Sequence, residues 1–399
     1  MRFHYRALVF LLLFFELFWP PVVQAADGGA EGEGGNRLEG LIEEQLEELG
    51  TNEVENFWQR LKEEYGGFLP ESQPQDLKDF LTVEGSLFSL NLLKGFLKYL
   101  FHELILNGKL LGMIVLLTVF SMILEQIQSA FESNNVSKVA YAITYIVVFI
   151  LAINSFHVAI SYAKAAISDM VHFMMALIPL LLALMGAAGQ VASVSLFHPL
   201  IIFLINTSGM LIYHVIFPLL LFSTILGMVS VFSEQYRVSQ LASLLRNLSV
   251  GLLGVFLTVF LGVVSVQGAT AAVADGITVR TAKFITSNFV PVVGRMFTDA
   301  TDTVLGASLL LKNTIGLAGV IILIGLAAFP ALKILSIGLI FNLSAAILQP
   351  LGNSSIISCL SVIGKNLLFV FAALATVCLM FFLGVTIILA AGNLSFVVR

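Results

Sequence analysis

Apolar runs close to 20 residues long follow one another along this 399-residue chain, and no other feature restricts its fold so tightly. A helix needs about 20 apolar residues to cross a hydrocarbon layer ~30 Å thick. Inside that layer every backbone N–H and C=O must be paired, which leaves only helices or closed barrels. The runs are continuous and lack the alternation of barrel strands. The expected fold class is therefore all-α: a polytopic helical membrane protein with about seven to nine spans. Composition agrees, with 58% hydrophobic and 11% charged residues and a mean hydropathy of +0.98, whereas a soluble domain carries about 25% charged residues. Spans are expected near 110–124, 138–160, 170–188, 198–217, 218–232, 249–268, 303–329, 331–348 and 366–391. Pro179, Pro218, Pro291 and Pro330 mark breaks or helix starts.

The first residues have a different purpose. Arg2 and Arg6 precede an apolar stretch from Ala7 to Trp19, interrupted only by Glu16 and closed by Pro20-Pro21. Val23-Gln24-Ala25 then presents small residues for signal peptidase. Residues 1–25 are expected to be a cleavable signal peptide, cut between Ala25 and Ala26; the alternative is an uncleaved anchor. Residues 26–103 form an acidic, extracytoplasmic helical segment with 17 acidic and 6 basic side chains, and 104–399 form the membrane domain. The acidity disfavours nucleic acid and anionic lipid headgroups, and solubility outside the cytoplasm explains it.

Within the acidic segment Leu38, Leu41, Ile42, Leu46 and Leu49 recur at helical spacing, with glutamates opposite. Asn52 with Glu55 has the form of a capping box for a second helix, whose stripe is Val54, Phe57, Trp58, Leu61 and Tyr65. A third short helix carries Leu77, Phe80 and Leu81. Such short helices are marginal alone and need a docking surface. Residues 87–106 are apolar but broken by Lys94, Lys98, His102 and Glu103, an interfacial pattern.

Short stretches recur. Phe120-Ser121-Met122-Ile123-Leu124 resembles Phe222-Ser223-Thr224-Ile225-Leu226, and Phe217-Pro218 resembles Phe329-Pro330. They suggest about three degenerate copies of one helical unit, beginning near 86, 196 and 303, as in transporters and membrane scaffolds. Basic residues are too evenly spread to orient the later spans, and the side of Arg399 is not readable.

Chemistry is scarce. No G-x-x-x-x-G-K-[ST] loop is present for a nucleotide, no H-E-x-x-H for an intramembrane metalloprotease, and no aspartate pair in the spans for a two-carboxylate protease. Cys359 and Cys378 stand alone in apolar surroundings, with no metal-ligand spacing. No catalytic residue, cofactor or metal site is expected. Lys312 lies inside a span with no acidic mate, so it faces an aqueous cavity or sits at a helix boundary. Lys333 is placed to snorkel, and Lys164 and Asp169 to sit in a solvated loop. Gly254, Thr258 and Gly262, at i, i+4 and i+8, form a small-residue ridge for close helix packing, either within the chain or in self-assembly.

Longer motifs carry a resemblance. They include Asn107-Gly108-Lys109-Leu110-Leu111-Gly112, Ser249-Val250-Gly251-Leu252-Leu253-Gly254-Val255-Phe256, Asn288-Phe289-Val290-Pro291-Val292 and Phe329-Pro330-Ala331-Leu332-Lys333-Ile334-Leu335. In this order they resemble the stage III sporulation protein AE family of endospore-forming bacteria, over the signal peptide and from about 104 to the end. The resemblance implies a non-enzymatic membrane subunit of the channel or secretion-type complex that joins mother cell and forespore. It implies the mother-cell membrane around the forespore, with the mature N-terminus in the intermembrane space. The implied partners are other stage III A operon products (ring-forming subunits and an ATPase), a forespore-side membrane protein and membrane lipid. The competing reading, from another class, is an autonomous secondary transporter for a small solute.

Overall fold

The computed structural model describes residues 51–70, 74–76, 79–80, 90–130, 135–232, 238–289, 293–351 and 354–397. Ala25, Ala26, the helix expected at 38–49 and Pro291 lie outside these residues. The described chain is all-helical. In order it runs through α1 (Asn52–Tyr65), α2 (Leu90–Leu106), α3 (Gly108–Ala130), α4 (Asn135–Ala187) and α5 (Val191–Leu211). It continues as α6 (Phe217–Phe232), α7 (Ser239–Phe289), α8 (Val293–Leu348) and α9 (Ser355–Val397).

Apolar composition makes helices here, and it makes them longer than the prolines suggest. Pro179 and Pro330 lie inside α4 and α8, not at their ends. A proline removes one backbone bond and crowds the preceding turn, but packed neighbours keep an apolar helix continuous through it. Before Pro218 the chain does not break either. It opens into one π turn, Ile212–Ile216, whose wider ring accommodates the residue that would clash with the proline. Lys164 and Asp169 fall within α4, so the loop expected there is helix; the surrounding Ala163, Ala165 and Ala166 supply strong helix formers. These fusions leave five described helices long and apolar enough to span, at Ala142–Ala187, Val191–Phe232, Ser239–Thr278, Leu305–Leu348 and Ser355–Asn393. A sixth exists if α2 and α3, bent by 44° at Asn107, count as one. The sequence expectation was seven to nine.

α8 and α9 pack along much of their length and form the centre of the bundle, with α4 against α8 and α7 against α9. Phe260, Phe329, Phe341 and Phe381 are fully buried there. Close approach occurs at Gly316 and Gly319, where an added Cβ would strike the Leu389 and Leu177 side chains. Gly254 and Gly262 differ. Nothing lies within 4 Å of a Cβ at either, and with Thr258 they are exposed. Among the described residues the Gly254–Thr258–Gly262 ridge takes no part in packing.

α1 is held by its apolar stripe, as expected. Val54, Phe57, Trp58 and Leu61 are buried; Phe57 meets Phe173 edge-on at 5.2 Å, and Leu61 fills the space over Gly325. The capping box does not form. Thr51 is the N-cap, without a side-chain bond, and Asn52 is already helical.

Candidate functional sites: the buried polar clusters

The end of α4 and the start of α5 meet α7, α8 and the last part of α9. Gly189, with φ of 78°, makes the turn from α4 to α5. Its N–H bonds Gly186 O, and that of Gln190 bonds Met185 O, closing the last turn of α4. The next backbone N–H groups, at the start of α5, lack helical partners. Asp275 of α7 supplies them. Its carboxylate accepts from Ala192 N at 2.9 Å, from Ser193 N at 3.1 Å and from the Ser193 hydroxyl. A negative group at a helix N-terminus is favourable on both hydrogen-bonding and dipole grounds.

Lys312 of α8 reaches the C-terminal end of α9 in the same region. It is fully buried and donates to Leu389 O at 3.3 Å and Asn393 Oδ1 at 2.9 Å. Leu389 lies eight residues before the end of α9, so the ammonium shares a carbonyl inside that helix and makes its shorter bond to the Asn393 side chain. Gln190 joins the cluster by donating to Gly392 O at 2.6 Å, while its Oε1 has no partner. A Cβ at Gly392 would strike the Lys312 ammonium and lie 2.8 Å from Gln190 Oε1, so this position has room only for glycine. Lys312 itself lies well inside α8, and its ammonium ties that helix to α9.

A second cluster fastens α2 to α8. Glu103, 5% exposed, lies 3.9 Å from the Lys333 ammonium and accepts from the Asn107 amide at 3.2 Å. Lys333 also sits 4.4 Å above the Tyr162 ring centroid. It is paired, with 32% of its side chain exposed. One turn away Phe329 stacks on Tyr65 at 4.0 Å and meets Tyr99 edge-on at 5.1 Å. α1 and α2 thus converge on the Phe329-Pro330 segment of α8.

Sequence reading singled out Lys312 but not its partners, which lie 77 and 81 positions away. Asp275 escaped it altogether, because its partners on α5 lie more than 80 positions upstream. Among the described residues no group of three His, Cys, Asp or Glu side chains could hold a metal. What the two clusters do is join helices through buried hydrogen bonds and one ion pair.

No solved structure matches the chain. The family described as Stage III sporulation protein AE matches residues 73–392. A relative named Stage III sporulation protein AE, from Bacillus subtilis (strain 168), is 56% identical over 379 residues, covering 95% of each chain. The match spans every helix of the bundle from α2 to the Lys312-bearing α8 and most of α9, so the architecture above is that of a member: the chain belongs to the stage III sporulation protein AE family.

Proposed function

We propose that this protein is a non-enzymatic integral membrane subunit of the channel complex joining mother cell and forespore, required for endospore formation. The observation that carries the reading is family membership across nearly the whole of a bundle with five long apolar helices. The buried charges agree with a scaffold. Asp275 caps α5, Lys312 bonds Leu389 and Asn393 of α9, and Glu103 pairs with Lys333; each ties one helix to another. In this reading residues 1–25 are removed as a signal peptide and the mature N-terminus lies in the intermembrane space. The partners are the other stage III A operon products, ring-forming subunits and an ATPase among them, and a forespore-side membrane protein. The three-copy repeat belongs to the same proposal, as the origin of the bundle.

One observation favours the autonomous-transporter alternative: two fully buried ionisable residues, Lys312 and Asp275, near one end of the bundle, where intramembrane charge is commonly functional. Two experiments separate the readings. Deleting the gene in a spore-forming host is expected to block sporulation, and detergent extraction from sporulating cells to recover the protein with ring-forming subunits. Normal sporulation of the deletion strain, or solute uptake by liposomes holding this protein alone, sinks the channel-subunit reading.

A further inference from the structure

The outward face of α4 changes character along its length. Val139, Ile143, Ile146, Val147 and Ile150 are exposed in its first part. From there on, Asn154, His157, Ser161 and His172 are exposed and Lys164 and Asp169 half-buried. The spacing of three to five residues puts these six polar groups on one stripe, about 27 Å long at 1.5 Å per residue. That is close to the thickness of the hydrocarbon layer, ~30 Å. α1 lies beside this stripe. Its apolar side is buried on Phe173 and Gly325, and Glu53, Arg60, Glu63 and Glu64 project outward. Asp169 lies in the field of Arg60, His172 and Glu64.

α7 presents the opposite surface at the same level. Asp275 is level with the start of α5 and hence with the end of α4, through its bonds to Ala192 and Ser193. Counting away from that end, His172 on α4 and Val259 on α7 both lie about 22–24 Å along the bundle axis. There α7 exposes Val255, Val259 and Val266. α7 packs chiefly on α5, α6 and α9 and touches α8, whereas α1 packs on α4 and α8. One depth in the bundle thus carries an apolar flank and a charged one. Lipid covers the first at no cost, but ionised side chains facing hydrocarbon are costly.

We propose that the α1–α4 flank faces water at the depth where α7 faces hydrocarbon, forming one wall of a hydrated path for small polar solutes, with neighbouring subunits shielding it from lipid. This deepens the channel-subunit reading and rests on it. The test uses the full chain in membranes of sporulating cells, with Cys359→Ser and Cys378→Ala as background. Single cysteines replace Ser161, His172 and Glu63 on the polar flank, and Val255 and Val259 on α7. A charged, membrane-impermeant methanethiosulfonate is expected to modify the first three about tenfold faster or more, because charged reagents are excluded from hydrocarbon. A photoactivatable lipid probe is expected to mark only the α7 positions. Equal fast reaction with the charged reagent on both flanks would place this whole level outside the membrane and overturn the proposal. Slow reaction at the polar positions with lipid-probe labelling there overturns it too, and so does slow reaction without it. Sporulation of the deletion strain scores the parent reading separately. The labelling contrast without a sporulation defect leaves the hydrated flank and removes the channel; a defect without the contrast does the reverse.

Discussion

Among the described residues Lys312 has no acidic partner, and its burial is sustained by neutral oxygens on another helix. Replacing it with methionine keeps most of the volume and removes both hydrogen bonds. Bonds to a charged group contribute about 1.5–3 kcal/mol, so Lys312→Met is expected to loosen the end of α9 by that order. Limited proteolysis of a C-terminal tag in detergent reads it directly, and Gly392→Val, which drives a side chain into the same ammonium, is expected to give the same pattern. Unchanged cleavage in both variants would mean that the ammonium does not hold α9. Asp275 gives a graded case. Asparagine keeps one acceptor oxygen, for one of Ala192 N and Ser193 N, whereas alanine leaves both open; loss of an N-cap costs about 1 kcal/mol, more when buried. Asp275→Ala is therefore expected to lower thermal stability in detergent further than Asp275→Asn. Equal losses would assign the role to charge and not to capping. At this scale the sequence disclosed little. It marked Lys312 as anomalous, but the partners of both residues are 77 to 83 positions away and no local pattern encodes them.

Helices were legible because apolar runs without dyad alternation have no other solution in lipid. The amphipathic stripe of α1 was also readable, since Val54, Phe57, Trp58 and Leu61 recur at helical spacing and all four are buried. Helix breaks were not. Pro179 and Pro330 carry the same local signal whether they end a helix or lie inside one, and tertiary packing decides. Glycines show the same limit. The sequence made Gly254 and Gly262 the stronger ridge, yet the tight contacts within the chain fall at Gly316 and Gly319. This yields a contrast. Gly316→Leu forces a side chain into Leu389 and is expected to cost a few kcal/mol, in the upper range for overpacking, with poor accumulation of the protein. Gly254→Leu meets nothing within the chain and should accumulate normally. If the exposed ridge is an assembly surface, as proposed for Gly254, Thr258 and Gly262, recovery of partner subunits falls in Gly254→Leu at unchanged protein level. Full recovery removes the ridge from the assembly.

The whole molecule is long for a membrane. The five described helices that are long and apolar enough to span have 39 to 46 residues, about 60–70 Å at 1.5 Å per residue, against ~30 Å of hydrocarbon. A tilt of 40°, at the upper end for such helices, still leaves ~45 Å along the normal, so part of the apolar surface calls for cover by neighbouring protein. The same geometry couples loops that the sequence left unrelated. Gly189, Asp275, Lys312 and Asn393 come together, so the α4–α5 turn and the end of α9 share one end of the bundle. Val191–Phe232 then runs to the opposite end, where Ser239 begins the return. The expected outcome is that a cysteine replacing Val191 and a tag after Arg399 are reached from the same side of the membrane, and a cysteine replacing Gln240 from the other. Impermeant maleimide applied to protoplasts, before and after permeabilisation, reads all three positions. If Val191 and Gln240 label from one side, α5 and α6 do not cross, and the bundle enters the membrane by a different axis than its long helices define. If they label from opposite sides, the side that carries Val191 also fixes the side of the C-terminus, which the thin spread of basic residues could not orient.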